Sequence, residues 1–424
     1  MSLFKSIFQH IKFYSLANLF GKGANVIIFL IIAKVFSVQE FAQYITYMIF
    51  IELALVLLLF GVDSYIMRAH SSSSFEVTLE FIKFNLILNL VLFISITSLY
   101  LINFLTTYDF LLFLALNIYL FYRVFEKLFT NYLIRSQQSK SFMKITFVIS
   151  YTQLFLILIA YYLSFLNITN YFFILSTAIF ILLSFLFIKL TKTEINSFNR
   201  AFLKINLSMI SSNIKAAFPF LGKNLIGSIN LYSSRILLAA FATPLELAAY
   251  GFYLALYFKA ISLLSVVSAT FIPMMKDRID KINKVQLAIR KYEIFYLFLV
   301  SIFSLSLFFA YIKLPFVGDI LLTLIKSEYI EMLEIGFIFI LCFFISLAIM
   351  IYDFWQYSLQ NVAKKILTIS AVFTTLSVLG YAIILQSYGT TEIALYYLIL
   401  NLLMLFISRR YFYQIKLANS SQSN

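Results

Sequence analysis

A few charged residues sit inside stretches that are otherwise apolar, and their types and spacing define the chemistry open to this chain. An ionised side chain at the centre of a bilayer costs about 2.5–3.5 kcal/mol on insertion scales, so one that persists faces a cavity or a partner. Lys22 stands between Gly21 and Gly23, where missing side chains let a bulky ligand or a neighbouring backbone come close. Arg235 offers a planar guanidinium, the side chain best matched to bidentate phosphate binding. For both residues the competing roles are helix packing and snorkelling to an interface. Arg123, Glu126 and Lys127 follow one another at i, i+3 and i+4, a spacing that favours an ion pair within one helix.

Glu52 and Lys259 both fall near mid-membrane, about 16 Å and about 20 Å along their helices at 1.5 Å per residue. They occupy nearly equivalent places in the two halves of the chain. Three arrangements are open: an ion pair between them that breaks and reforms, a static pair, or a different partner for Glu52. Metal chemistry has little support. His10 and His70 are far apart in sequence, Cys342 is the one cysteine, and no cluster of ligands at metal-binding spacing accompanies them. Gly21-x-Gly23 lacks the strand and turn of a nucleotide fingerprint, and no Gly-Lys-Ser/Thr phosphate loop occurs. No cofactor is expected.

The elements that must position these groups are membrane helices. Of 424 residues, 62% are hydrophobic and 12% charged, which excludes a water-soluble enzyme. Apolar stretches fall near 13–36, 41–62, 81–105, 110–130, 142–166, 170–190, 217–241, 246–271, 293–312, 332–354, 366–386 and 392–412. Twelve spans of about 20 residues leave only short loops and no room for a domain outside the membrane. The first run continues past Phe36 without a small-residue cleavage site, so it reads as a retained span.

The net charge of +14 is first a topology signal. With the amino terminus in the cytoplasm, nearly all Lys and Arg fall at inner ends and inner loops, the exceptions being Lys22, Lys34, Arg235, Lys259, Lys313 and Lys326. The outer loops carry Glu40, Asp109, Glu246, Asp319, Glu328, Glu331, Glu334 and Glu392. The positive-inside rule therefore puts both termini in the cytoplasm, and basic charge gives no reason to invoke nucleic acid. Tyr44, Tyr47, Tyr232, Tyr250 and Tyr253 read better as an interfacial aromatic belt than as a stacking surface for sugars.

The chain repeats itself at half its length. Asn18-Leu19-x-Gly21 matches Asn224-Leu225-x-Gly227, and Ala33, Ser37, Glu40, Ala42, Tyr44 and Tyr47 match Ala239, Thr243, Glu246, Ala248, Tyr250 and Tyr253. An even number of spans separates the copies, so both enter the membrane in the same direction. The expected architecture is an all-α polytopic membrane protein of about twelve transmembrane helices, in two parallel-repeat six-helix bundles around a central cavity. Its expected divisions are an N-terminal bundle over 1–190, a cytoplasmic linker over 191–216 and a C-terminal bundle over 217–424.

These residues resemble a known family, the oligosaccharide-repeat-unit (O-antigen type) flippases of the multidrug, oligosaccharidyl-lipid and polysaccharide exporter superfamily. The resemblance runs through the Ser37 to Tyr44 turn, Phe60-Gly61-Val62-Asp63, Pro219, Asn230 to Arg235, the Thr243 to Tyr250 turn and Phe271-Ile272-Pro273. Relatives often place an Asp beside the basic residue of span seven, where this chain has Ser234 before Arg235. The resemblance implies flipping of an undecaprenyl-diphosphate-linked oligosaccharide across the bacterial inner membrane by alternating access. It is a transport function and not an enzymatic one, serving assembly of surface polysaccharide such as the O-antigen of lipopolysaccharide.

The candidate substrate-binding residues are Lys22, Arg235, Lys259, Glu52 and Arg123. Partners on this reading are the lipid-linked substrate, membrane lipid, a coupling ion (H+ or Na+) and the polysaccharide polymerase machinery. Two rivals differ in kind. A membrane-embedded polymerase would need long outer loops, whereas the longest here, Lys313 to Glu331, has about 19 residues. A multidrug cation antiporter would want an acidic cavity, and the intramembrane charges here are mainly basic.

Overall fold

The computed structural model describes residues 2–66, 74–102, 106–136, 138–192, 207–276, 325–352, 362–387 and 389–420, with single positions 302 and 306 besides. Most of span nine, the charged positions 313 and 319, His70 and most of the 191–216 linker lie outside the described residues. The described helices are α1 (Ser2–Val35), α2 (Val38–Leu59), α3 (Val62–Ile66), α4 (Ser74–Leu101), α5 (Thr107–Arg135), α6 (Ser139–Tyr162), α7 (Ile168–Ser176) and α8 (Ala178–Lys192). They continue with α9 (Leu207–Phe241), α10 (Pro244–Lys276), α11 (Ser327–Ile330), α12 (Leu333–Tyr352), α13 (Val362–Ser387) and α14 (Thr390–Ser420). Among the described residues there is no strand.

Among the described residues, seven segments are long and apolar enough to cross a membrane. Helices α1, α5, α9 and α10, of 34, 29, 35 and 33 residues, are also long enough for a span and carry Lys22, Arg123 with Glu126, Arg235 and Lys259 respectively. With the seven, they account for eleven of the twelve expected spans. Where bilayer offers no water, a helix satisfies its own backbone polar groups, which is why apolar runs of this length take that form.

The contacts sort the chain into two units: Met1–Phe29 with Thr46–Ile229, and Leu30–Ile45 with Asn230–Asn424. In the first unit α5 is the hub, packed against α3, α4, α6, α7 and α8. Its core holds the fully buried rings of Phe81, Phe125, Phe129 and Phe172. A tight turn joins α2 to α3, with Phe60 at φ 49° and Gly61 at φ 74°. Gly61 is required twice over, because a Cβ there would meet Leu221 N at 2.5 Å and Ala217 O at 2.6 Å on α9. Polar bonds hold the same place: Asn131 Nδ2 donates to Asp63 O at 2.9 Å, and Asn224 Nδ2 to Asp63 Oδ1 and Ser64 Oγ, each at 3.3 Å.

In the second unit α12 packs on α14 and α10, and α13 on α14. Phe41, Phe252 and Tyr329 form an aromatic core, with Tyr329 5.7 Å from Phe41 and 5.3 Å from Phe252 between ring centroids. Tyr253 Oη donates to Tyr329 O at 2.7 Å, and Lys326 Nζ donates to Phe36 O at the end of α1. Tyr44, Tyr250 and Tyr253 are all buried here. They serve the packed interior, which corrects the interfacial-belt reading for these three: large rings at the crossing of helices bury more area than an interface offers.

Candidate functional site

Two helices supply the charged triad of the first unit. Glu52 comes from the middle of α2, while Arg123 and Glu126 lie one turn apart on α5. Arg123 Nη2 donates to Glu52 Oε1 at 2.8 Å, and its Nη1 to Glu126 Oε2 at 3.3 Å. The i, i+3 pair expected within α5 is thus present. Glu52, for which the equivalence of the two halves pointed to Lys259, has Arg123 as its ion-pair partner. The three side chains are 23–31% exposed, so the triad is partly open to its surroundings.

Lys22 lies on α1, half-buried and close enough to Lys127 for the two ammonium charges to repel. The glycines flanking it differ. A Cβ on Gly21 would meet Thr146 Cγ2 at 2.5 Å, so this glycine allows α1 to close on α6. Gly23 has nothing within 4 Å of such an atom and leaves open space beside Lys22.

The second unit holds Arg235 on α9, 6% exposed. Its guanidinium carbon sits 4.7 Å from the Tyr232 ring centroid and 5.6 Å from that of Phe258. Tyr232 is one turn back on α9 and Phe258 comes from α10. Rings with a negative π-face can hold a desolvated cation in place, worth about 0.5–2 kcal/mol. That burial removes the snorkelling alternative for Arg235. Lys259 follows Phe258 in sequence and is half-buried. A cavity of about 300 Å³ lies in the same unit, lined by Tyr253, Tyr257, Ala260, Gly336, Phe339 and Phe343 among others. From Tyr257 of this lining a polar chain runs on, Tyr257 Oη with Ser346 Oγ at 2.7 Å and Ser346 Oγ to Asn401 Oδ1 at 3.4 Å.

Two polar features had no place in the reading of the sequence. Glu80 and Lys83 form a buried ion pair on α4. Beyond it Asn85 donates to Phe81 O at 3.0 Å, Asn89 to Asn85 O at 2.9 Å, and Asn117 of α5 to Asn89 O at 3.3 Å. The available signal was the spacing of four between Asn85 and Asn89, which puts both on one helix face. Among the described residues no group of three or more His, Cys, Asp or Glu could hold a metal ion.

Comparisons with known proteins agree with this architecture. Residues 7–278 match the sequence profile of the family described as polysaccharide biosynthesis protein. No curated protein matches the chain. Among solved structures, a multidrug resistance MATE family transporter of the MOP superfamily, in an outward-facing conformation, superposes with a TM-score of 0.63. It shares 13% identity, with 96% of each chain covered. A MOP superfamily transporter from Pyrococcus furiosus, for which a reversed polarity of the binding pocket suggests a different function, also gives 0.63 at 13% identity over 96% of this chain and 95% of that one. A MATE protein in complex with MaD3S gives 0.63 at 14% identity, covering 98% and 97%. At such identities the structures establish the fold, and the profile establishes the family: the chain belongs to the polysaccharide biosynthesis protein family and has the all-helical membrane fold of MOP superfamily transporters.

Proposed function

We propose that this protein is a flippase for a lipid-linked oligosaccharide, moving an undecaprenyl-diphosphate-linked repeat unit from the cytoplasmic to the outer leaflet of the bacterial inner membrane by alternating access. The observation that carries the reading is Arg235, a guanidinium buried in a membrane span and packed against two rings. A diphosphate is the part of such a substrate that cannot enter hydrocarbon unaided, and a preorganised cationic fork lowers that barrier. Membership of a polysaccharide biosynthesis family supplies the sugar side of the argument. Arg235 and Lys22 are assigned as phosphate contacts, one in each unit, with Lys259 beside the Arg235 cage. Glu52 and Arg123 form an ion pair whose partial exposure lets it open. Transport at both termini-inside topology would use H+ or Na+ as coupling ion and deliver product to the polymerase machinery of the surface-polysaccharide pathway, including O-antigen.

The test is recovery of surface polysaccharide in a flippase-null strain at matched membrane expression. Arg235→Ala and Lys22→Ala should each abolish recovery, and Arg235→Lys should restore only part, because an ammonium cannot reproduce the bidentate fork. Full recovery by both alanine variants would refute the phosphate role. Resistance to organic cations conferred on a drug-sensitive host, without polysaccharide recovery, would instead select the multidrug antiporter.

A further inference from the structure

The first unit carries a groove of about 390 Å³ cut between α1, α6 and α8. Its walls are Leu16 and Phe20 of α1, Met143, Phe147 and Val148 of α6, and Phe185 of α8, with Lys144 as the charged member. Phe20 and Phe147 face one another at 5.7 Å between centroids, and Phe147 stacks on Tyr151 at 5.4 Å. Phe20, Val148 and Tyr151 are more than 40% exposed, so the groove opens on the apolar exterior. Its width is fixed by the close approach of α1 to α6 at Gly21 and Thr146.

One end of this groove is cationic. Lys140 lies one helical turn before Lys144 in the first turns of α6, and its Nζ stands 5.7 Å over the ring of Phe13 on α1. Both lysines are exposed. Two ammonium groups one turn apart, at a helix N-terminus whose dipole adds positive potential, attract an anion. An apolar channel leading away from that point takes a hydrocarbon chain. Basic sites between transmembrane helices on the cytoplasmic side recognise lipid headgroups in this way.

We infer that the α1–α6–α8 groove is a binding site for an anionic phospholipid of the inner leaflet, with its phosphate at Lys140 and Lys144 and one acyl chain along Phe20, Phe147 and Phe185. The lipid is a resident of the site and stands apart from whatever the protein carries. An anionic headgroup is specified because the two cations have no use for a zwitterion, whose own ammonium they would repel. Phosphatidylglycerol meets these terms.

Native mass spectrometry of the full-length protein, delipidated in detergent and titrated with dioleoylphosphatidylglycerol, dioleoylphosphatidylcholine or a polyprenyl monophosphate, tests the site. Wild type should bind the glycerol lipid well ahead of the choline lipid. Lys140→Gln with Lys144→Gln should weaken that preference roughly thirtyfold, about fivefold for each lysine near a membrane surface, while Lys144→Arg keeps it. Val148→Trp fills the groove without touching the charges, so binding of both phospholipids should fall. Equal binding of the two lipids by wild type, or an unchanged preference in the double variant, would overturn the inference. Displacement of phosphatidylglycerol by an equimolar polyprenyl phosphate would overturn it in favour of a site for the carrier lipid.

Discussion

The Glu52–Arg123–Glu126 triad makes an asymmetric prediction about stability. Arg123 reaches Glu52 at 2.8 Å and Glu126 at 3.3 Å, so the arginine serves two carboxylates while Glu52 has one ion-pair partner there. Replacing Arg123 with Met therefore leaves two anions facing each other on α2 and α5. Replacing Glu52 with Gln leaves Arg123 still paired with Glu126. At an effective dielectric constant of 20 the shorter contact is worth about 6 kcal/mol of gross attraction, most of it offset by desolvation of both ions. Removing one partner of a fully buried pair costs about 3–5 kcal/mol. With 23–31% of each side chain exposed, solvent screening lowers that range. The expected losses are about 2–3 kcal/mol for Arg123→Met and about 1 kcal/mol for Glu52→Gln, with a coupling of about 1–2 kcal/mol in the double variant.

Unfolding of the full-length protein in detergent, followed by fluorescence-detected size exclusion after heating, ranks the four members of the cycle. The order should be wild type, Glu52→Gln, then Arg123→Met, with the double variant no worse than Arg123→Met because one stranded carboxylate has gone. Were Glu52→Gln the more damaging single change, or the two losses additive within about 0.5 kcal/mol, the triad would carry no mutual stabilisation and its assignment as one electrostatic group would fail.

Two other consequences concern the turns. Gly61→Ala should be among the most damaging single-methyl additions in the chain, since it strains a φ of 74° and drives a Cβ into the α9 backbone at Leu221 and Ala217; a melting temperature within a degree of wild type would show that α9 is free to withdraw there. Glu246, at the first turn of α10, is pushed up by partial burial, but the Thr243 N–H, the Thr243 hydroxyl and the Thr390 hydroxyl together hold its carboxyl below the usual carboxylate range. That stabilisation is present above pH of about 4.3, the ordinary glutamate value, and is lost as pH falls through the depressed one; Thr243→Ala should cost about 1 kcal/mol and flatten the acid limb of a stability profile, and an unchanged profile would count against the cap.

Much of this was legible because it depends on short range. The repeat paired Ser37 with Thr243 and Glu40 with Glu246, and the structure gives the match a cause: each pair is a capping box at the start of a long helix. Ser37 N–H donates to Glu40 at 2.8 Å and Glu40 N–H to Ser37 Oγ at 3.1 Å; the corresponding bonds of Thr243 and Glu246 are 2.9 and 3.3 Å. A hydroxyl residue followed three places later by Glu does this work whatever surrounds it, so the serine-to-threonine exchange costs nothing. The Arg123–Glu126 pair is legible for the same reason, its members standing one turn apart on one helix.

What the sequence hid are contacts that depend on how helices are turned about their axes. Glu52 and Arg123 are 71 residues apart, and equivalence of halves gives a depth in the membrane but no facing direction, so it offered Lys259 and could not offer Arg123. The Phe258 ring beside Arg235 is hidden likewise, as is the seating of Asn224 on Asp63, 161 residues away. The same ignorance of facing misplaced Tyr44, Tyr250 and Tyr253, because a tyrosine near a helix end satisfies an interfacial belt and a packed aromatic core equally well in one dimension. Span depth is written in hydropathy, whereas azimuth is written in contacts between helices. In a chain this apolar, hydrophobic residues face lipid and core alike, so the amphipathic contrast that would reveal azimuth in a soluble helix is nearly absent. The charged residues therefore carry the facing information, and a half-buried ion pair such as Arg123 with Glu52 fixes the rotation of α5 against α2 in a way that no hydrophobic neighbour of either could.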